Sequence, residues 1–470
     1  MHKKALVLVM VLSMLFLVGC DNGTPSSAST PSSTPESSSA APSSTTVTIW
    51  HYFSGAQQGM LDEIVAEFNE TVGEEQGIIV VAENQGATAD LEKKVQTASE
   101  GGIQNLPDIV HGYPDIMATL HAKGQIADLG SYLTEEEIAG YYDSFLKEGS
   151  QFGDGTLRLM PIAKSTELLF VNRTLWDNVK ETIGCTDEDL GNWDGIAKAG
   201  KAYYEEYGIG FYAIDSFANF VYLNGYQQGV EYVSIDEEGN GIVNPDRDAL
   251  ERTFNFIKGG LDDGWLVIKD QSRAYPSDWM SAGAIVCYAG SNSGTTFVAP
   301  RSNDGENTEE DELDFMPYPV WSDGVHKAVI QQGAGMSLVA KGEEVEKAAT
   351  VFLTFLTNEA NTARFSMGSA YLPVQKNASD DPVFNAFLEG LDEDGEPLNL
   401  RSSKISGAIG MALEMFETYD MYYTPAFEGS NLIRRAVDSE VTKIFSGVHA
   451  DFDSFYNTLS SAMTEAIGGR

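Results

Sequence analysis

Apolar positions along the chain follow two alternating rhythms. Val47-Thr48-Ile49-Trp50 is β-branched and aromatic and reads as a strand. Leu61, Ile64, Val65 and Phe68 then recur at i, i+3, i+4 and i+7, one face of a helix. Ile78-Ile79-Val80-Val81 is a second strand, Leu91, Val95 and Ala98 mark a second helix, and Asp108-Ile109-Val110-His111 is a third strand. Strands separated by amphipathic helices specify βαβ units and a mostly parallel sheet.

The rhythm restarts past Met160. Glu167-Leu168-Leu169-Phe170-Val171 predicts a strand, and the stretch through Tyr207 is helical and aromatic. A hairpin or loop is expected over Ser234 to Asn244, and further strands at Ala284 to Ala289, Phe315 to Val320 and Gly335 to Ala340. Val345, Ala348, Phe352, Phe355 and Leu356 predict a strong helix. Two more end the chain, one on Ile433, Val437, Val441 and Ile444, the other on Phe452, Phe455, Leu459, Met463 and Ile467. No internal repeat is visible, and two α/β lobes are the simplest account. With 470 residues the chain is too long for one ordinary core.

Charge narrows the function. Against 29 Lys and Arg stand 70 Asp and Glu, a net charge of −41. Such a surface repels phosphate backbones, so nucleic-acid binding is excluded as a main function.

The N-terminus sets the compartment. Lys3 and Lys4 precede an almost wholly apolar run from Ala5 to Val18. That run falls short of the ~20 residues needed to span a bilayer but suits the core of a signal peptide. It ends in Leu17-Val18-Gly19-Cys20, which resembles a bacterial lipobox. In that class of signals the cysteine sulfur takes a diacylglycerol, and cleavage leaves Cys20 as the acylated N-terminus. Residues 21 to 46 are nearly all Ser, Thr, Pro and Ala, with Asp21 and Glu36 the only charges. Such a stretch cannot offset its ordering entropy and reads as a disordered tether. Cys185 and Cys287 sit in unlike contexts, and no disulfide is expected between them.

Catalytic and metal signatures fail on context. Gly208-Ile209-Gly210 follows a helix where a dinucleotide site needs a strand. Ser144-Phe145-Leu146-Lys147 has no later Lys-Thr-Gly, and Gly290 to Gly294 holds Asn292 where a nucleophile elbow needs serine. The six histidines never pair at metal-ligand spacing. Asp392-Glu393-Asp394-Gly395-Glu396 lacks EF-hand spacing and reads as a solvated acidic turn. No metal or cofactor is expected. Instead, aromatics stand beside small polar residues at strand ends: Trp50 to Ser54, Asp215-Ser216-Phe217, Tyr288 to Ser291 and Ala370 to Pro373. Ligands of parallel sheets gather beyond the carboxyl ends of strands. Aromatic faces with hydroxyls and carboxylates suit the apolar C–H faces and the hydroxyls of sugars.

Several segments together resemble the family-1 extracellular solute-binding proteins of bacterial ABC importers. They are Val47 to His51, Leu106-Pro107-Asp108-Ile109-Val110, Pro161 to Thr166 running into Leu169 to Asn172, Met316-Pro317, Gly333-Ala334-Gly335, Tyr371-Leu372-Pro373-Val374 and the last two helices. The resemblance implies a two-lobed periplasmic-binding-protein-like α/β fold, each lobe a mostly parallel sheet with flanking helices. Signal peptide would be 1–19, lipidated cysteine and tether 20–46, lobe 1 47–160 plus 314–368, and lobe 2 161–313 plus 369–470. Hinge crossings would lie near Met160 to Ser165, between Ser291 and Pro317, and near Tyr371.

It also implies a receptor without catalysis. A monomer held on the outer face of the cytoplasmic membrane would capture a sugar or oligosaccharide and hand it to permease subunits. By position, Asp115, Ser165, Tyr52, Ser54, Tyr371, Ser291, Gly333 and Phe217 are the expected ligand residues. Asp115 matches an acid that holds sugar hydroxyls in maltose-binding relatives. Glycerol-3-phosphate-binding relatives carry an arginine before the penultimate helix. Here that stretch, Pro425 to Ser430, has no Arg or Lys, which disfavours a phosphate ligand. A receptor for glycerol 3-phosphate or a glycerophosphodiester remains an alternative, as does a surface glycoside-processing enzyme.

Replacing Cys20 with Ser should release the protein from the membrane fraction. Retention equal to that of the unaltered chain would contradict the lipobox reading.

Overall fold

The computed structural model describes residues 44–236, 239–267, 275–298 and 312–468. The leader, Cys20 and most of the expected tether lie outside the described residues, as do residues 237–238 of the expected hairpin. Among the described residues twelve strands are present: β1 (Thr45–His51), β2 (Ile78–Asn84), β3 (Ile109–Gly112), β4 (Met160–Asn172), β5 (Tyr212–Ile214), β6 (Val233–Ile235), β7 (Gly241–Val243), β8 (Leu266–Val267), β9 (Cys287–Ser291), β10 (Leu313–Met316), β11 (Ala328–Leu338) and β12 (Asp420–Tyr422). Strand β1 starts two residues before the expected Val47.

Ten strands make one sheet in the order β2-β1-β3-β11-β4-β9-β5-β8, with β10 added on β4 and β12 on β11. Its two ends are parallel: β1 pairs with β2 and β3, and β5 with β8 and β9. Its middle is antiparallel, β11 against β3 and β4, and β4 against β9. Each parallel end is thus a βαβ product, and the long β4 and β11 join them. β6 and β7 form a separate antiparallel hairpin.

Apolar side chains divide accordingly. Val47, Ile49, Leu61, Phe68, Met160, Ile162, Met336 and Phe352 belong to one buried cluster, with Leu91, Val110 and Leu120 in a smaller neighbour. Leu168, Phe170, Trp176, Trp193, Phe220, Ile330, Ile433 and Leu459 belong to the other. Trp193 anchors that second core, meeting Tyr212, Phe220, Phe256 and Tyr318 edge-on with centroids 5.1 to 6.0 Å apart. Cys185 and Cys287 are buried there as free thiols.

One boundary differs from expectation. Residues from 314 were expected in lobe 1, yet β10 pairs with β4 over Leu169 to Asn172, and Tyr318, Trp321 and Val329 pack in the second core. The chain re-enters the first core only at Met336. The middle crossing among the described residues is therefore β11 itself; residues 299–311 of the expected crossing lie outside the described residues, and Val298 and Leu313 on either side of them both belong to the second core. Pairing of β10 with a lobe 2 strand decides this, and an isolated strand-like run carries no sign of which neighbour it will take.

All three crossings meet at Lys164. It lies opposite Gly333 in the β4–β11 ladder, and its carbonyl accepts from the Leu372 amide at 2.7 Å. Its ammonium, fully buried, donates to Glu148 Oε2 at 2.6 Å and to the Gly333 carbonyl at 3.2 Å. Gln331 Nε2 donates to the same Glu148 oxygen at 2.5 Å. Gly333 has φ +103°, and a Cβ there would stand 2.0 Å from the Ala163 carbonyl oxygen. Glycine is what lets β11 approach β4 so closely.

Gly333→Ala should therefore lower unfolding free energy by about 2–3 kcal/mol, from strain plus a backbone clash. Gly342 also has positive φ but open space around it. Urea unfolding should show a clearly smaller loss for Gly342→Ala, and equal losses would remove the close-approach argument.

Candidate functional site

Ends of strands converge on a cleft of about 1110 Å³ between the two cores. From the first come Tyr52 and Ser54 after β1, and Tyr113 after β3. From the second come Asp215 after β5 and Ser291 at the end of β9, with Tyr275, Asp278, Ser293 and Phe297 nearby. Tyr371 lines it at the third crossing. This is where parallel sheets place ligands, because side chains beyond the last paired residue are released from the ladder.

Exposed aromatics stand on both walls. Tyr113 keeps 36% of its surface exposed, Tyr275 55% and Phe297 53%, high values for side chains of this size. Tyr52 supports Tyr113: the rings stack at 6.2 Å with 13° between planes. Behind Tyr52 lies fully buried His111, ring centroids 4.5 Å apart. Burial pushes His111 down to about 3, so it is neutral at any ordinary pH. Gln57 of the first lobe and Ser293 of the second both act on the Tyr371 hydroxyl, which burial pushes up, so this one side chain stands between both walls. Ser291 Oγ lies 2.9 Å from Ser293 Oγ.

Asp215 and Asp278 bring carboxylates to the lining, and among the described lining residues none is Lys or Arg. Asp278 also accepts from the Tyr275 amide at 2.8 Å, fixing the loop that presents that ring. Below the cleft floor, Glu167 of β4 lies opposite Ser291 and is buried. Asn219 Nδ2 donates to its Oε1 at 2.6 Å and to Gln332 Oε1 at 3.0 Å. Burial first, and the nearby Asp215 charge, raise the Glu167 carboxyl to about 7.

Four of the eight expected ligand residues, Tyr52, Ser54, Ser291 and Tyr371, line this cleft. The other four stand elsewhere. Asp115 is in the first turn of the helix Pro114–Ala122, where its Oδ1 accepts from the Ile116 amide at 2.8 Å. Ser165 is buried in β4 opposite Gln332. Gly333 serves the contact between strands, and Phe217 packs on Phe445 with centroids 4.9 Å apart. Tyr113, Tyr275, Phe297 and Asp278 had not been singled out; an aromatic in a polar stretch was the available signal. Arg434 had also escaped notice. It lies on the helix Ser430–Phe445 one position after buried Ile433, and its charge acts on Glu92, Asp115, Glu167 and Asp438. So the interlobe region holds a cation, although Pro425 to Ser430 has none.

Residues 63–387 match the model of a family described as bacterial extracellular solute-binding protein. The chain belongs to the bacterial extracellular solute-binding proteins. Solved structures share the solute-binding protein's fold at low identity. The cyclic α-maltosyl-1,6-maltose binding protein from Arthrobacter globiformis is 16% identical with a TM-score of 0.71, covering 91% of this chain and 100% of its own. UgpB from Mycobacterium tuberculosis, solved with glycerophosphocholine, is 18% identical with a TM-score of 0.70, covering 91% and 99%. The ABC substrate-binding protein Lmo0181 from Listeria monocytogenes, solved with cycloalternan, is 19% identical with a TM-score of 0.68, covering 90% and 98%. No curated protein sequence matches the chain. Among the described residues, no cluster of His, Cys, Asp or Glu is placed to hold a metal ion, and no helix is long and apolar enough to cross a membrane.

The Glu167 shift sets a pH dependence. Between about 4.5 and about 7 the folded solute-binding protein keeps this proton while the unfolded chain has lost it. Its contribution to stability is therefore present at low pH and is lost as pH rises through that window. Urea unfolding at pH 5 and pH 7.5 should show a smaller fall for Glu167→Gln than for the parent. An identical fall would mean that Glu167 carries no raised carboxyl.

Proposed function

We propose that this solute-binding protein captures an uncharged carbohydrate, an oligosaccharide more than a single ring, for a membrane ABC importer. The carrying observation is the pair of facing walls. Tyr113 on one side and Tyr275 and Phe297 on the other offer flat apolar faces, with hydroxyls and two carboxylates between them and no cation among the described lining residues. Aromatic faces take the C–H faces of a sugar ring, and carboxylates accept from its hydroxyls in charge-assisted hydrogen bonds. A volume near 1110 Å³ lies just above the usual range for ligand sites and leaves room for several rings. Asp115, half-buried beside the cleft, would act on the ligand through the adjoining Tyr113 wall.

The chain would do no chemistry. Its lobes would close about the three crossings, and the occupied receptor would deliver its ligand to permease subunits. Cys20 would anchor it to the outer face of the cytoplasmic membrane, with the Ser/Thr/Pro segment as tether. The neighbours solved with cycloalternan and named for a maltosyl-maltose support the carbohydrate reading. A glycerophosphodiester is the second reading, favoured by Arg434 and by the neighbour that holds glycerophosphocholine.

A thermal-shift screen over maltotriose, maltotetraose, cycloalternan and glycerophosphocholine separates the two. Ligand at 100 times its dissociation constant should stabilise the fold by about 2.7 kcal/mol. Tyr113→Ala should then weaken the bound sugar by about tenfold, 1.4 kcal/mol, in calorimetry, and chromatography should recover that sugar unchanged. Stabilisation by glycerophosphocholine alone would overturn the ligand class, and a hydrolysed sugar would overturn the binding role.

A further inference from the structure

The lobes also touch beside the cleft, through groups that do not line it. On the helix Ser430–Phe445 of the second lobe, Arg435 Nη2 lies 3.3 Å from Glu92 Oε2 on the helix Thr88–Glu100 of the first. Glu92 and Asp115 are both on the first lobe and close enough for each charge to act on the other, while Arg434 offsets both. Also between the lobes, Gln151 Oε1 accepts from the Ala426 amide at 2.8 Å. Ala426, from the second-lobe segment, is buried in the small first-lobe cluster with Phe152.

Two carboxylates that repel each other face two arginines across the gap between lobes. When the lobes part, the repulsion stays and the attraction is lost. The arrangement therefore favours closure whether or not a ligand is present. We propose that Arg434 and Arg435 with Glu92 and Asp115 form an electrostatic latch that biases the solute-binding protein toward its closed state. This rests on the two-lobed, closing receptor described above but not on the identity of its ligand. An exposed ion pair is a small term, here worth about a two- to fivefold change in the closed-to-open ratio. That suffices where the two states differ by little. Salt screens it, since the Debye length falls from about 10 Å at 0.1 M to 3 Å at 1 M.

Small-angle scattering on the unliganded full chain, carrying Cys20→Ser to keep it off membranes, tests the latch. The radius of gyration should grow between 20 mM and 1 M NaCl. Arg435→Glu should be expanded already at 20 mM, and adding Glu92→Arg to it should restore the compact value. Circular dichroism confirms that each variant is folded, and the salt series on the parent stands without any variant. A radius independent of salt, or a swapped pair no more compact than Arg435→Glu, would overturn the latch. Neither result would bear on which sugar binds.

Discussion

A buried ion pair at the centre of the molecule constrains everything around it. Lys164 and Glu148 are both almost wholly out of water and 2.6 Å apart. Charges taken from water need good geometry and further hydrogen bonds to be tolerated, and Gln331 and the Gly333 carbonyl supply them. The partners come from a first-lobe helix, from β4 and from β11, while Leu372 of the third crossing bonds the Lys164 backbone. Removing one charge would strand the other, at a cost of about 3–5 kcal/mol. This fixes where the three crossings run side by side, and so the axis about which two separately packed cores can turn.

The cleft follows from that placement. Strands β1 and β3 on one side and β5 and β9 on the other end at the cleft, and residues at or just past their ends line it. Tyr52, Tyr113, Asp215 and Ser291 are there for that reason. Tyr371 bridges the walls because it belongs to the crossing itself. The same geometry leaves Glu167 under the floor, where burial holds its proton against the pull of solvent. A chain with net charge −41 has no cation among the described lining residues and holds Arg434 and Arg435 at the flank.

Local order was legible in the sequence. β-Branched alternation marked β1, β2 and β3, and the i, i+3, i+4 spacing marked the helices between them. Tyr52, Ser54 and Ser291 could be found because they directly follow apolar strand cores. Partnership was not legible. Phe315 reads as a strand, yet nothing in its neighbours says that it pairs with β4, and Gln331 and Gln332 look like surface residues although Gln331 is buried against Glu148. Asp115 sits near a strand end in sequence, but Pro114 starts a helix at once and turns its carboxylate to the Ile116 amide. Tyr275 and Phe297 lie in polar stretches where only the tertiary fold shows which wall they complete.

Crystals of the protein grown with a bound oligosaccharide test the central claim most directly. A sugar ring is expected against Tyr113 and another against Tyr275 or Phe297, with contacts from both lobes. Each lobe should superpose on its unliganded form, the difference being a rotation about residues 164, 333 and 372. A sugar held by one lobe alone, or closure with the Lys164–Glu148 pair broken, would contradict it.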